Sequence, residues 1–167
     1  MTDKIILEAI GTIRTPFEKP VGTPIQGLLE GKAEGTVILR EDLVDGLKDL
    51  EGFSHLFLVY HFDRVEGFDL VQKPYLEDED RGMFAIRSPR RPNPIGVTVV
   101  SLLGIDGNRV LVKGVDMLDG TPLLDIKPYV PDFDSVADAR TGWLDARLET
   151  YNQGEPVRTT ADDRFHK

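Results

Sequence analysis

Three arginines, Arg87, Arg90 and Arg91, fall within the ten residues RSPRRPNPIG (residues 87–96), beside Pro89, Pro92 and Pro94, with Asn93 between two of the prolines. A guanidinium is a planar fork of donors that suits a carboxylate or a phosphate. Ser88, Arg91 and Asn93 each precede a proline, which pushes them toward extended backbone. Each proline also fixes its own φ and removes an N–H. The stretch is therefore shaped in advance and orders little on binding. It reads as an anion site without naming the anion; the alternative is a rigid turn with solvated arginines. From residue 81 to 105 the chain has four arginines and no acid, although its formal net charge is −9 and Glu77 to Asp80 are all acidic. A local basic patch on an acidic body follows.

A second stretch, DMLDGTPLLDIKPYVPDFD (residues 116–134), carries five aspartates with Lys127 and Tyr129. Asp116, Asp119 and Asp125 are irregularly spaced and no histidine lies near, so transition-metal ligation has little support. The calcium-loop pattern is incomplete. Aspartates among prolines and an Asp-Gly turn also read as turn caps, and Lys127 reads as a cross-strand partner of Asp125. In a third stretch, FSHLFLVYHFDR (residues 53–64), His55 and His61 are six apart and share one face of a strand. His55, in an apolar run, reads as a core histidine. His61, at the strand end, is the better ligand contact. His166 lies in the tail and indicates little. There is no nucleophile elbow. The absence of cysteine rules out disulfides, a thiol nucleophile and a thiolate zinc site.

The elements that must carry these stretches are mostly strands. Residues 5–14, 35–39, 53–62, 83–87, 95–103 and 109–115 read as strands, the third central because it is apolar on both faces. A short Gly-Asn turn joins the last two as a hairpin. Residues 15–27, with three prolines and two glycines, form an ordered loop. Residues 42–50 have the spacing of a short helix. Residues 63–80 are a long loop or weak hairpin. The tail is polar and irregular apart from an apolar cluster at residues 143–148. Six or seven strands with one clear helix exclude the alternating pattern of a doubly wound sheet, and no Gly-rich nucleotide motif is present. The fold class expected is mainly β, a small antiparallel and at least partly closed barrel with long Pro/Gly-rich loops.

The 167 residues suggest one folded domain. There is no signal-peptide pattern and no apolar run of membrane-spanning length, so a soluble, cytoplasmic protein is expected. A pI near 4.8 argues against a broad nucleic-acid surface.

Together the three stretches resemble the TsaA-like proteins, a family that includes the tRNA methyltransferases called TrmO. The strings R-S-x-x-R-P-N-P-I-G and D-G-T-P-x-x-D-I-K-P-Y carry the resemblance, which runs from about residue 5 to about residue 134. It implies a small β-barrel (residues 1–135, followed by a polar extension, 136–167) that binds S-adenosylmethionine without a Rossmann sheet and works as a homodimer with the cofactor near the interface. It implies methylation of N6 of threonylcarbamoyl-adenosine beside the anticodon of tRNA, with neither metal nor membrane involved. Cofactor contacts implied by motif are Pro24, Ile25 and Gln26; His61 and Phe62; Arg87 and Val97; and Asp119, Gly120, Thr121 and Pro122.

N6 of that nucleoside is a weak nucleophile, because its lone pair is delocalised into a purine and a carbonyl. Asp125 or Asp119 is expected to take its proton, with Tyr129 and Lys127 orienting and Asn93 holding the N–H or carbonyl. Arg90 and Arg91 would grip the threonyl carboxylate or an RNA phosphate. The catalytic candidates are thus Asn93, Asp125 and Tyr129, and the substrate-binding candidates Arg90, Arg91 and Lys127. Alternatives are a non-catalytic S-adenosylmethionine or nucleotide sensor, and a methyltransferase acting on a small molecule or a protein.

Overall fold

The computed structural model describes residues 3–165. Six strands close an antiparallel barrel in the order β1 (Gly11–Arg14), β2 (Glu34–Leu39), β7 (Arg109–Lys113), β6 (Ile95–Asp106), β3 (His55–His61), β8 (Thr121–Pro128). Pairing of β1 with β8, Ile13 opposite Thr121, completes the ring. A small ribbon, β4 (Val71–Gln72) with β5 (Arg81–Gly82), stands beside it.

Alternation along each strand fills the interior. In β3, Leu56, Leu58 and Tyr60 point inward and are buried, while His55, Phe57, Val59 and His61 are half-buried outside. Ile13, Val37, Val100, Val110, Val112 and Leu123 complete the core and are fully buried. Burying each such side chain stabilises by about 1.5–3 kcal/mol. The long β3 is flanked by β6 and β8, as its double apolar face requires. The β6–β7 turn uses Gly107 at φ 58, and the Asn108 amide donates to the Leu39 carbonyl, fixing the hairpin to β2.

Several local expectations are corrected, and β8 was not expected as a strand at all. Only Gly11–Arg14 of residues 5–14 forms a strand; Ile5 and Ile6 are 82% exposed and gain no partner. Residues 42–50 form 3-10 turns, Glu41–Leu47 and Leu50–Gly52, because Asp49 at φ 66 breaks the run. Residues 83–87 form a 3-10 turn, Met83–Ala85, before going extended. The tail is partly regular: a 3-10 turn, Gly142–Leu144, leads into a helix, Asp145–Asn152. The hairpin strand β7 also stops at Lys113, since Gly114 turns away at φ 97. Short helical turns Gly27–Glu30 and Pro131–Asp134 complete the elements. The tail returns to the barrel, with Trp143 Nε1 donating to the Ala85 carbonyl and Tyr151 Oη to the Leu29 carbonyl. His166 lies outside the described residues.

Candidate functional site

At one end of the barrel a cavity of about 500 Å³ opens. Three segments distant in sequence wall it: the proline-rich loop of residues 20–27, the arginine loop of residues 86–91, and the ribbon of residues 116–121. Strands β3 and β6 form its floor.

The floor is organised by Asp116. Its Oδ1 accepts from Thr98 Oγ1 at 2.6 Å and from Tyr60 Oη at 3.4 Å, while Oδ2 accepts from the Gly27 amide at 2.8 Å. Tyr60 Oη also lies 3.0 Å from Thr98 Oγ1. The residue keeps partial exposure because it faces the cavity, but protein crowds its carboxyl. Desolvation pushes that carboxyl up to about 6, against the opposing pull of its donors. Burial likewise raises the Tyr60 phenol well above its usual value, with Asp116 adding to the shift.

Two glycines make this packing possible. A Cβ on Gly96 would stand 2.2 Å from the Tyr60 ring, and one on Gly27 would stand 1.7 Å from the Gly114 carbonyl. The final glycine of RSPRRPNPIG is thus the seat on which Tyr60 lies.

The arginine loop is pinned from below. The Gln72 side chain is buried, accepts from Ser88 Oγ at 2.6 Å, and donates to the Asp69 and Arg90 carbonyls at 2.7 and 2.8 Å. Arg91 Nη1 donates to the Met83 and Ile86 carbonyls at 3.0 and 2.8 Å, with its guanidinium over the Phe84 ring. No hydrogen bond among the described residues uses Arg91 Nε or Nη2. Arg90 pairs with Asp69 at 3.2 Å. Arg87 is exposed and reaches across the cavity mouth to donate from Nη1 to Gln26 Oε1 at 3.0 Å.

Of the residues expected to bind or react, Pro24, Ile25, Gln26, Phe62, Arg87, Arg91, Val97 and Thr121 line this one cavity. The others lie off its wall. Asp119 serves the turn, accepting from the Thr15 amide at 3.0 Å and pairing with Arg14 at 3.3 Å, while its carbonyl accepts from Arg64 Nη2. Gly120, at φ 80, and Pro122 continue that turn into β8. Asp125 and Lys127 pair at 2.9 Å along one strand, not across two. Tyr129 packs edge-on against Phe57 and His55. His55 lies between Ser54 and Ser101 hydroxyls, at 2.9 and 3.2 Å. His61 and exposed Asn93 do not reach the cavity. Among the described residues no group of three or more His, Cys, Asp or Glu side chains gathers to hold a metal ion, and no helix is long and apolar enough to cross a membrane.

Sequence reasoning passed over Asp116, Tyr60 and Thr98 as site residues. The period-2 pattern held a signal for Tyr60, which follows Leu56 and Leu58 on the inward face, where a phenol needs a partner. Nothing local marks Asp116 apart from the other aspartates.

A family model described as the tRNA-methyltransferase O N-terminal domain matches residues 12–135. A probable S-adenosyl-L-methionine-binding protein of Pyrococcus abyssi is 49% identical over 86% of this chain and 78% of its own length. The tRNA (adenine(37)-N6)-methyltransferase of Mus musculus is 37% identical over 78% of this chain, which spans only 32% of that longer protein. The crystal structure of TrmO from Pseudomonas aeruginosa superposes with a TM-score of 0.72 at 37% identity, covering 94% of this chain and 78% of that one.

Proposed function

The chain belongs to the tRNA-methyltransferase O family, and from that premise we propose that it transfers a methyl group from S-adenosylmethionine to N6 of adenine 37 in tRNA. We further propose threonylcarbamoyl-adenosine as the acceptor, a cytoplasmic setting, and a homodimer as the working unit, with the transfer site on residues 1–135. The observation that carries the reading is the convergence of the Pro-Ile-Gln loop, the arginine loop and the Asp116 ribbon on one small-molecule-sized cavity.

The cavity residues fit the cofactor's chemistry. Ile25, Phe62, Ile86, Met117 and Leu118 offer apolar surface for a purine, and the Arg87 guanidinium offers a fork for an amino-acid carboxylate. When bound, S-adenosylmethionine supplies an electrophilic methyl group on a positively charged sulfur that departs as a neutral thioether. The protein's own task is alignment and exclusion of water. As the new N–C bond forms, N6 loses a proton. Asp116, raised to about 6, is the cavity carboxyl best matched to hold it near neutral pH, and its donors Thr98 and Tyr60 fix its orientation. Arg91 Nε and Nη2 face the task of binding the threonyl carboxylate. Asn93, Asp125, Tyr129, Arg90 and Lys127 are acceptor-side groups in this reading, since none of them lines the cavity.

The test is incubation with isotopically labelled cofactor and total tRNA, followed by mass spectrometry of the nucleosides. Label on N6-methylated threonylcarbamoyl-adenosine is expected. Arg91→Ala is expected to lower turnover of that nucleoside at least tenfold more than turnover of unmodified adenosine in the same tRNA. Cofactor binding without label in RNA would instead favour the sensor reading, in keeping with the name of the Pyrococcus abyssi relative.

A further inference from the structure

The family model ends at residue 135, yet the cavity does not. Ala161 lines it. The tail reaches that position by pairing with the proline-rich loop in a short antiparallel ladder. The Gly22 amide donates to the Ala161 carbonyl at 3.1 Å, the Ala161 amide to the Thr23 carbonyl at 2.7 Å, and the Ile25 amide to the Thr159 carbonyl at 2.8 Å. Pro24 and Thr160 sit opposite each other. Three prolines and two glycines leave residues 15–27 without a barrel partner for much of their length, so the tail satisfies backbone donors and acceptors that the loop cannot satisfy alone.

A few residues further on, the same tail grips a second segment, at Pro74 and Tyr75. Arg164 Nη1 donates to the Pro74 carbonyl at 2.6 Å, and its guanidinium lies over the Tyr75 ring. Phe165 is 5% exposed and packs edge-on against Tyr75, with ring centroids 4.9 Å apart. Tyr75 is itself a cavity residue. Asp162 ties the tail to itself, pairing with Arg164 at 2.7 Å and Arg158 at 2.6 Å.

We propose that residues 159–165 form a wall of the cofactor cavity, with Ala161 as a contact residue, the backbone of residues 159–161 holding the proline-rich loop, and Arg164 and Phe165 as positioning residues that hold Tyr75 around the ligand. This rests on the reading that the cavity takes S-adenosylmethionine. A small side chain at 161 keeps the wall clear. The unit that binds cofactor is then longer than the domain that the family's shared pattern defines.

The test titrates S-adenosylmethionine calorimetrically into the full chain and its variants. Ala161→Trp is expected to weaken binding at least tenfold while leaving the ligand-free melting temperature within a few degrees. Phe165→Ala is expected to raise Kd and the cofactor KM at least tenfold, with kcat at saturating cofactor within twofold, and Phe165→Leu to recover most of the affinity. Wild-type binding with both Ala161→Trp and Phe165→Ala within twofold of it would overturn the wall. No uptake by the wild-type chain would overturn the cavity assignment, and the wall with it.

Discussion

Asp116 is the side chain whose chemistry the fold changes most. An unfolded aspartate titrates near 4, whereas the folded carboxyl is pushed up to about 6 by burial. Between those values the native state binds more protons than the unfolded state, so stability falls as pH rises through the window and levels off above it. Urea unfolding at several pH values between about 4 and about 8 measures this. Wild type is expected to lose up to about 3 kcal/mol relative to Asp116→Asn across the window. A constant difference between the two would mean that the three donors hold the carboxylate at its ordinary pKa. Asp116 was hard to single out in the sequence because its environment comes from Gly27, Tyr60 and Thr98, up to 89 positions away. Arg87 stood out in a string bounded by prolines and Gln26 only through the family resemblance, and the fold joins them through a hydrogen bond. The terminal glycine of the arginine string was legible as part of a motif, but its reason, the Tyr60 ring above it, was not.

At the scale of elements, β2, β3, β6 and β7 were legible as strands, whereas β8, paired on both sides with β1 and β3, was not, because its aspartates and prolines read as turn residues. In β3 and the first half of β6 burial alternates residue by residue, as it does at the end of β2. Other departures sit where tertiary contacts replace a ladder. Residues 83–87 alternate like a strand but coil into a turn, because the Arg91 guanidinium collects the Met83 and Ile86 carbonyls. The arginine loop, stiff as its prolines make it, still hangs on the buried Gln72 side chain. Gln72→Ala strips a partner from the Ser88 hydroxyl and from two carbonyls, which is expected to destabilise by about 2–4 kcal/mol. Amide exchange is expected to quicken at least tenfold in residues 87–91 and to stay near wild-type values in β3 and β6. Equal acceleration in the barrel would show the loop and the strands to be one cooperative unit.

For the whole molecule, the cavity gathers segments from residue 20 to residue 161, so a ligand there bridges early and late parts of the chain. S-adenosylmethionine at about 100 times its Kd is expected to stabilise by about 2.7 kcal/mol. For a chain of this size that corresponds to a rise in melting temperature of roughly 5–10 °C, readable by calorimetry; an unchanged melting temperature would remove the cavity as a binding site for that ligand. The barrel class was legible from strand number and turn spacing. Its closing pair was not, because β1 is only four residues long and meets β8 over 100 positions away.

That closing pair limits how copies of the chain can meet. With β1 hydrogen-bonded to β8, the main ring offers no free ladder for a neighbour's backbone to extend. Any association through the ring is therefore confined to side-chain surfaces, such as the outward apolar row of Ile95, Val97 and Leu103 on β6. Contacts of that kind depend on complementary shape, so they select particular partners and resist runaway fibre growth.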